Sequence, residues 1–333
     1  MRPVTVLLSS AGRRVELLRA FRGALRDLGV DGRVLAVDVS DRSSAFQDAD
    51  AGFLVPRCTD PAFVPAMLEL CREQAVDLVL PTIDTELPTY ALSRDDFAAV
   101  GTTVAVSSPE VVRIAADKQA THAWLVAQGF PTVRQSTVEA VRRAPADWPF
   151  PVVVKPRRGS AGIGVLVARD RTDLDWAARD GEVVVQSLAR GAEHTVDALV
   201  DRAGRCVCVV PRRRLEVRSG EVSKGVTVRS APVESLVTRL VEALPGAYGV
   251  VTVQLFVDGP ADDPASMEVI ELNARFGGGY PLAHAAGADY PRWLLEEVLG
   301  LPSTATADGW QDGLTMLRYD AAVFVPASAE VRS

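Results

Sequence analysis

The run Met267-Glu268-Val269-Ile270-Glu271-Leu272-Asn273-Ala274-Arg275 has the texture of a β-strand, and Glu271, Asn273 and Arg275 fall two apart within it. An extended backbone points all three to one face. A carboxylate and an amide oxygen at that spacing are hard ligands suited to Mg2+ held together with nucleotide phosphates, and an arginine beside them can clamp a transferring phosphoryl group. A solvated sheet edge is the competing reading of such a face; the Gly277-Gly278-Gly279 turn that follows weighs against it. Upstream, the apolar run from Phe150 ends in Lys155 and leads into Arg157-Arg158-Gly159-Ser160-Ala161-Gly162-Ile163-Gly164. A glycine-rich tip beside a strand lysine makes a flap whose backbone N–H groups can wrap a polyphosphate. No Lys-Ser or Lys-Thr follows the glycines, which excludes a Walker A loop. Taken alone, the segment also reads as a plain hairpin.

Of 36 basic residues in the 333-residue chain, only Lys118, Lys155 and Lys224 are lysines. Where arginine has taken over the surface, a remaining lysine marks a position that needs a compact, flexible ammonium. Lys224 lies in a basic segment with Arg212-Arg213-Arg214 and Arg218. The net charge of −7 and the embedded Val/Leu alternation favour strands lining a site over a nucleic-acid tract.

The rest of the composition, 48% hydrophobic and 24% charged, excludes disorder, a collagen-like chain and a basic nucleic-acid binder. No apolar run approaches the roughly 18 residues that span a bilayer, and the N-terminus lacks a signal-peptide core, so a cytoplasmic protein is expected. Four scattered cysteines and three isolated histidines offer neither a disulfide framework, nor a zinc site, nor a Ser/Cys/His nucleophile constellation.

Residues 1–110 alternate short apolar runs with helical patterns, the form of a parallel sheet flanked by helices. Strands are expected over 4–8, 34–38, 53–55, 77–80 and 103–106. One helix carries Leu18, Phe21, Leu25 and Leu28, closed by Gly29, and another starts at Asp60-Pro61. Ligands of open α/β sheets bind at the carboxyl ends of the strands, so the Ser9–Arg14 loop, Asp38 and the Asp84/Glu86 loop are expected to share one cleft. Arg13, Asp84 and Glu86 become candidate substrate contacts. A first loop with a single glycine argues against dinucleotide binding. From Ser108-Pro109-Glu110 one helix is expected through Asp117-Lys118 to Gln128.

In this order, the features resemble the ATP-grasp superfamily, and within it enzymes similar to the large subunit of carbamoyl phosphate synthase, over about residues 1–300. The resemblance implies an α/β fold: an N-terminal parallel α/β domain (1–110), a small lid subdomain (111–188), a large subdomain (189–300), ATP between the two subdomains, and a C-terminal extension (301–333). It implies Lys118 and Lys155 on nucleotide phosphates and Gly159, Ser160, Ala161 and Gly162 in the phosphate lid. Gln186, Ser187 and Leu188 would form the adenine hinge, with Gln186 where an acid is common, and Glu193 would bind ribose. Gln254, Glu271 and Asn273 match the metal triad of this branch, many other members having an acid at the first position. Arg275, with Lys224 and Arg214, would serve the transferred group; the 212–224 segment resembles the middle of proteins of this branch, which implies Arg214, Arg218 and Lys224 on the γ-phosphate or the substrate carboxylate.

The implied cofactors are ATP and Mg2+, with Mn2+ as a substitute. The implied reaction joins a small amino-acid-like carboxylate to an amine through an acyl phosphate, releasing ADP and phosphate. The alternative is a carbamoyl phosphate synthase-like kinase acting on bicarbonate or carbamate, against which a single ATP-grasp unit counts. A regulatory nucleotide-binding protein without turnover is disfavoured by Glu271, Asn273 and the three lysines. The partners expected are small molecules, with no nucleic acid and no membrane; relatives of this kind are often homodimers. The resemblance names neither the acid nor the amine.

Overall fold

The computed structural model describes residues 3–159, 162–179, 181–218, 220–259 and 266–326. Strand β1 (Val4–Ser9) is buried at every position, as a central strand covered on both faces must be. It pairs in parallel with β2 (Gly32–Asp38) and, across the chain reversal, with β4 (Leu78–Pro81). With β3 (Ala51–Leu54) and β5 (Thr103–Val104) the order is β3-β2-β1-β4-β5. The order reverses between β1 and β4, which brings their exit loops together at the carboxyl end of the sheet. The helix Val15–Asp27 buries Leu18, Phe21, Ala24 and Leu25. It stops where Gly29 takes φ +64°, a conformation open to glycine. This sheet belongs to one compact unit, formed by residues up to Ala105 together with Pro291–Ser303 and the chain from Arg318 onward.

The second unit comprises Val106–Tyr290 and Thr304–Leu317. The helix expected over 108–128 is two helices, Pro109–Ala116 and Lys118–Ala127. Asp117 breaks it: its backbone is extended (φ −131°, ψ 111°) and its carboxylate caps the second helix at Gln119 N and Ala120 N. Lys118 is thereby the first residue of a new helix.

A four-stranded sheet follows, with β6 (Gln135–Ser136), β7 (Val152–Pro156), β8 (Leu166–Ala168) and β9 (Val183–Ser187) in the order β6-β9-β7-β8. Val138, Val141, Trp148, Val152, Val154, Leu174 and Val185 form its core. The larger sheet contains β10 (Ala192–Val200), β11 (Cys206–Arg218), β12 (Glu221–Thr227), β13 (Gly249–Val257), β14 (Met267–Asn273) and β15 (Thr315–Leu317), in the order β14-β13-β10-β11-β12-β15. The helix Ala231–Ala243 supplies Val233, Leu236, Val237, Leu240 and Val241 to its core. The short β15 pairs with Lys224–Val226 and covers that edge. The C-terminal extension is thus divided between the two units.

Candidate active site

Register sets which side chains share a face of the larger sheet. Thr195 stands between Arg212 and Gln254, and Gln254 stands opposite Glu271. One pleat along, Asp197 neighbours Thr252, and Thr252 neighbours Asn273. Residues two apart on a strand share a face, so Gln254, Glu271 and Asn273 lie together, with cross-strand neighbours separated by about 5 Å between Cβ atoms. The Arg275 guanidinium bends back, Nη2 donating to Asn273 Oδ1 (3.2 Å) and Nη1 to the Phe276 carbonyl (3.2 Å). Among the described residues no three His, Cys, Asp or Glu side chains form a group that could hold a metal by themselves. One carboxylate and two amides suit a cation whose remaining ligands are phosphate oxygens and water.

Lys155 ends β7 and is 5% exposed. Its Nζ donates to the Ile270 carbonyl (3.5 Å), next to Glu271. Burial depresses its pKa to about 8; Glu271 opposes that shift, Lys118 adds to it, and Glu193 opposes it. Four of the expected site residues therefore share one electrostatic environment. Lys118 donates from Nζ to the Gly159 carbonyl (2.8 Å), and its backbone N–H donates to Arg157 O (3.0 Å). Gly159 and Gly162 have φ of +107° and +68°, which suits glycine. Ser160 and Ala161 lie outside the described residues.

Asp117 forms an ion pair with Arg157 (2.7 Å) and a longer one with Arg158 (3.5 Å). Burial raises its pKa, but the Arg157 hydrogen bond and the two capping N–H groups outweigh that and leave it lowered. Arg157 was not singled out from sequence, although its place at the base of the glycine tip was the available signal.

At the hinge, Gln186 is buried, and its Nε2 donates to Gln135 Oε1 (2.7 Å), while Gln135 Nε2 donates to the Lys118 carbonyl (3.0 Å). Gln186 thus ties the strand to the start of the Lys118 helix. Ser187 exchanges bonds with the backbone of Arg134, and Leu188 is exposed. The Glu193 carboxylate accepts from Arg214 Nη1 (2.6 Å).

Other expected contacts have different partners. Lys224 Nζ lies 2.6 Å from Glu216 Oε2, and Arg218 Nε donates to Glu216 Oε1 (2.9 Å). Irregularities in the β11–β12 register after Arg214 place Glu216 opposite Lys224. The Lys224 hydrogen bond, then Ser223 and Arg218, hold the Glu216 carboxyl down at about 2. Both cations assigned to phosphate or substrate are thus drawn to a carboxylate that the sequence reading did not weigh.

In the first unit, Glu86 differs from a substrate contact. It is 0% exposed and accepts from Ser9 Oγ (2.6 Å), Ser10 Oγ (2.8 Å), Thr82 N (2.6 Å) and Ile83 N (3.2 Å). Burial raises its pKa against the pull of these donors. Its carboxylate is consumed in fastening the β1 and β4 exit loops. Arg13 is exposed and Asp84 half-buried in those same loops, and Asp38 holds Gly12 N (2.9 Å). The loops do converge; Glu86 is their internal tie.

The description "ATP-grasp domain" matches residues 115–279, and "PylC-like, N-terminal domain" matches residues 6–105. The phosphoribosylamine–glycine ligase of Phenylobacterium zucineum is 29% identical over 254 residues, covering 66% of this chain and 58% of that protein. The carbamoyl phosphate synthase large chain of Hyperthermus butylicus is 26% identical over 328 residues, covering 87% of this chain and 30% of that protein. The chain thus spans less than two thirds of the length of either relative. In fold it is similar to the biotin carboxylase domain of Hydrogenobacter thermophilus 2-oxoglutarate carboxylase, solved with MgADP and bicarbonate, at TM-score 0.72 and 17% identity over 95% of this chain and 74% of that one. It is also similar to N5-carboxyaminoimidazole ribonucleotide synthetase from Thermotoga maritima, at TM-score 0.65 and 20% identity over 91% and 78%.

Proposed function

This chain carries an ATP-grasp domain behind a PylC-like N-terminal domain, and from that premise we propose that it is an ADP-forming carboxylate–amine ligase. The observation that carries the proposal is that buried Lys155 rests its Nζ on the Ile270 carbonyl, next to Glu271, on the strand whose Glu271 and Asn273 share a face with Gln254: a buried ammonium beside a hard-oxygen set. Lys118 and Lys155 bind nucleotide phosphates in this reading, and the 159–164 glycine tip covers them. Gln186, Ser187 and Leu188 face adenine, and Glu193, oriented by Arg214, meets the ribose hydroxyls. Glu271, Asn273 and Gln254 hold Mg2+ together with the phosphates. The ion supplies charge neutralisation on the triphosphate.

A carboxylate oxygen of the acid attacks the γ-phosphorus, the bond to the β-bridging oxygen breaks, and ADP leaves. Arg275 stabilises the charge that builds on the transferred group. The amine nitrogen then attacks the acyl carbon and loses a proton, and phosphate departs with the electron pair of the C–O bond. No covalent enzyme nucleophile is required. Water is excluded while the acyl phosphate persists, because its hydrolysis wastes ATP.

The acid and the amine are small and amino-acid-like in this reading. A second reading takes bicarbonate as the acid. It is favoured by the carbamoyl phosphate synthase relative, whose similarity covers 87% of this chain. Incubation with ATP, Mg2+ and pooled amino acids tests the proposal. ADP and phosphate should appear only when an acid and an amine are both present; ADP release with bicarbonate alone shifts the assignment to the second reading.

A further inference from the structure

Asp197 and Arg212 stand on neighbouring strands beneath the turn that follows Arg275. They are 0% and 1% exposed, with Arg212 Nε donating to Asp197 Oδ2 at 2.7 Å. An ion pair this deep costs desolvation that its attraction repays only with good geometry and further hydrogen bonds. The second oxygen of Asp197 supplies one such bond, accepting from Thr252 Oγ1 (3.2 Å). The same hydroxyl lies 3.0 Å from the carbonyl of Arg275, whose guanidinium donates to Asn273 Oδ1.

The glycine turn closes over this group. A Cβ on Gly279 would lie 2.2 Å from Arg212 Nη1, and one on Gly277 would lie 3.3 Å from Thr252 Oγ1 and 3.4 Å from Asp197 Oδ1. Gly279 has φ −93°, which any residue adopts, so its backbone does not call for glycine; the Arg212 guanidinium, together with Val222 Cγ1 at 2.6 Å from the same Cβ position, does.

We propose that the Arg212–Asp197 pair is a positioning device for Asn273 and Arg275. The one Thr252 hydroxyl proton, shared between Asp197 Oδ1 and the Arg275 carbonyl, ties the Arg275 backbone to the buried pair, and Arg275 aims the Asn273 amide. Arg212 holds Asp197 from one side and forms the floor on which Gly279 rests. A planar fork gives this floor a fixed orientation that a flexible ammonium does not. Arg212, Asp197 and Thr252 are positioning residues. Their role rests on the reading of this face as the metal and phosphoryl end of the site.

The test compares ADP affinity with Mg2+ and with EDTA, by titration calorimetry, in the full chain and in Gly279→Ala, Thr252→Val and Arg212→Lys. Removing a group that orients a metal ligand typically costs about 10–100-fold in metal affinity. Gly279→Ala and Thr252→Val are therefore expected to lose about tenfold of the Mg2+-dependent gain in ADP affinity, while affinity in EDTA stays close to that of the unaltered protein. Arg212→Lys, which keeps the positive charge but not the planar fork, should lose the Mg2+-dependent gain to a similar extent. An unchanged Mg2+ gain in Gly279→Ala and Thr252→Val overturns the proposal. So does equal loss with and without the metal, or an Arg212→Lys variant that keeps the full Mg2+ gain. If the unaltered protein binds ADP in neither condition, the ligase reading itself falls.

Discussion

Lys118 reaches across 41 residues of sequence to the Gly159 carbonyl, Nζ to O 2.8 Å, so the ammonium at the start of one helix holds the base of the glycine tip. In the ligase reading a nucleotide phosphate competes for the same ammonium. Lys118→Met should weaken ADP binding by about 1.5–3 kcal/mol, the range for a hydrogen bond to a charged group. Calorimetry reads it; a loss smaller than twofold would remove Lys118 from the phosphate site.

Lys155 makes the pH dependence specific. Its pKa is depressed to about 8 from an ordinary 10.5, with burial the largest cause. Phosphate binding favours the ammonium, so ADP affinity should fall as pH rises above about 8, with proton uptake on binding in that range. The sign for stability is the reverse. A buried lysine with a depressed pKa costs folding free energy in full below about 8, and the cost is relieved as pH rises from there toward 10.5. Lys155→Met should therefore abolish ADP binding while raising the melting temperature at pH 7. A variant both unstable and binding-competent would contradict the placement.

Lys224 should behave differently from the other two lysines. Its ammonium is half-exposed and paired with Glu216. Lys224→Met and Glu216→Gln are both expected to leave ADP affinity within about twofold, since exposed ion pairs contribute little. Any effect belongs in the steps that use the acid or amine. A large loss of ADP binding in Lys224→Met would place this lysine on the nucleotide after all.

Glu86 is a stability residue on this account. Glu86→Ala orphans the buried Ser9 hydroxyl, the half-buried Ser10 hydroxyl and two backbone N–H groups, and breaking such a polar network costs about 3–5 kcal/mol. Urea unfolding measures it. A change below about 1 kcal/mol with lost turnover would return Glu86 to the substrate site.

The parallel sheet was readable in the sequence because its strands are short apolar runs bounded by helical periods, and such patterns are local. The alternation of Glu271, Asn273 and Arg275 is equally local. That Gln254 stands directly across from Glu271 is set by register, which no single segment encodes. The break at Asp117 was hidden because the residues on both sides of it are helical, and only the cap geometry separates the two helices. Arg212 was hidden in a run of three arginines. Strand parity separates them, with Arg212 and Arg214 turned inward and Arg213 exposed. Its partner Asp197 comes within reach only when β10 and β11 pair. The pull of Glu216 on Lys224 likewise depends on a register shift in the β11–β12 hairpin. Three lysines in a chain of arginines therefore marked two buried ammonium groups beside Glu271 and Gly159, and a third with an acid of its own.

The central claim is that the carboxylate of the acid becomes an acyl phosphate. Phosphorus-31 NMR on reactions containing ATP, Mg2+, pooled amines and pooled amino acids labelled with oxygen-18 in their carboxylates reads this step. The account predicts ADP as the nucleotide product and one carboxylate oxygen-18 in each released phosphate; labelled bicarbonate in place of the amino acids decides between the two acids. AMP with pyrophosphate, or ADP with unlabelled phosphate in every mixture, would contradict it.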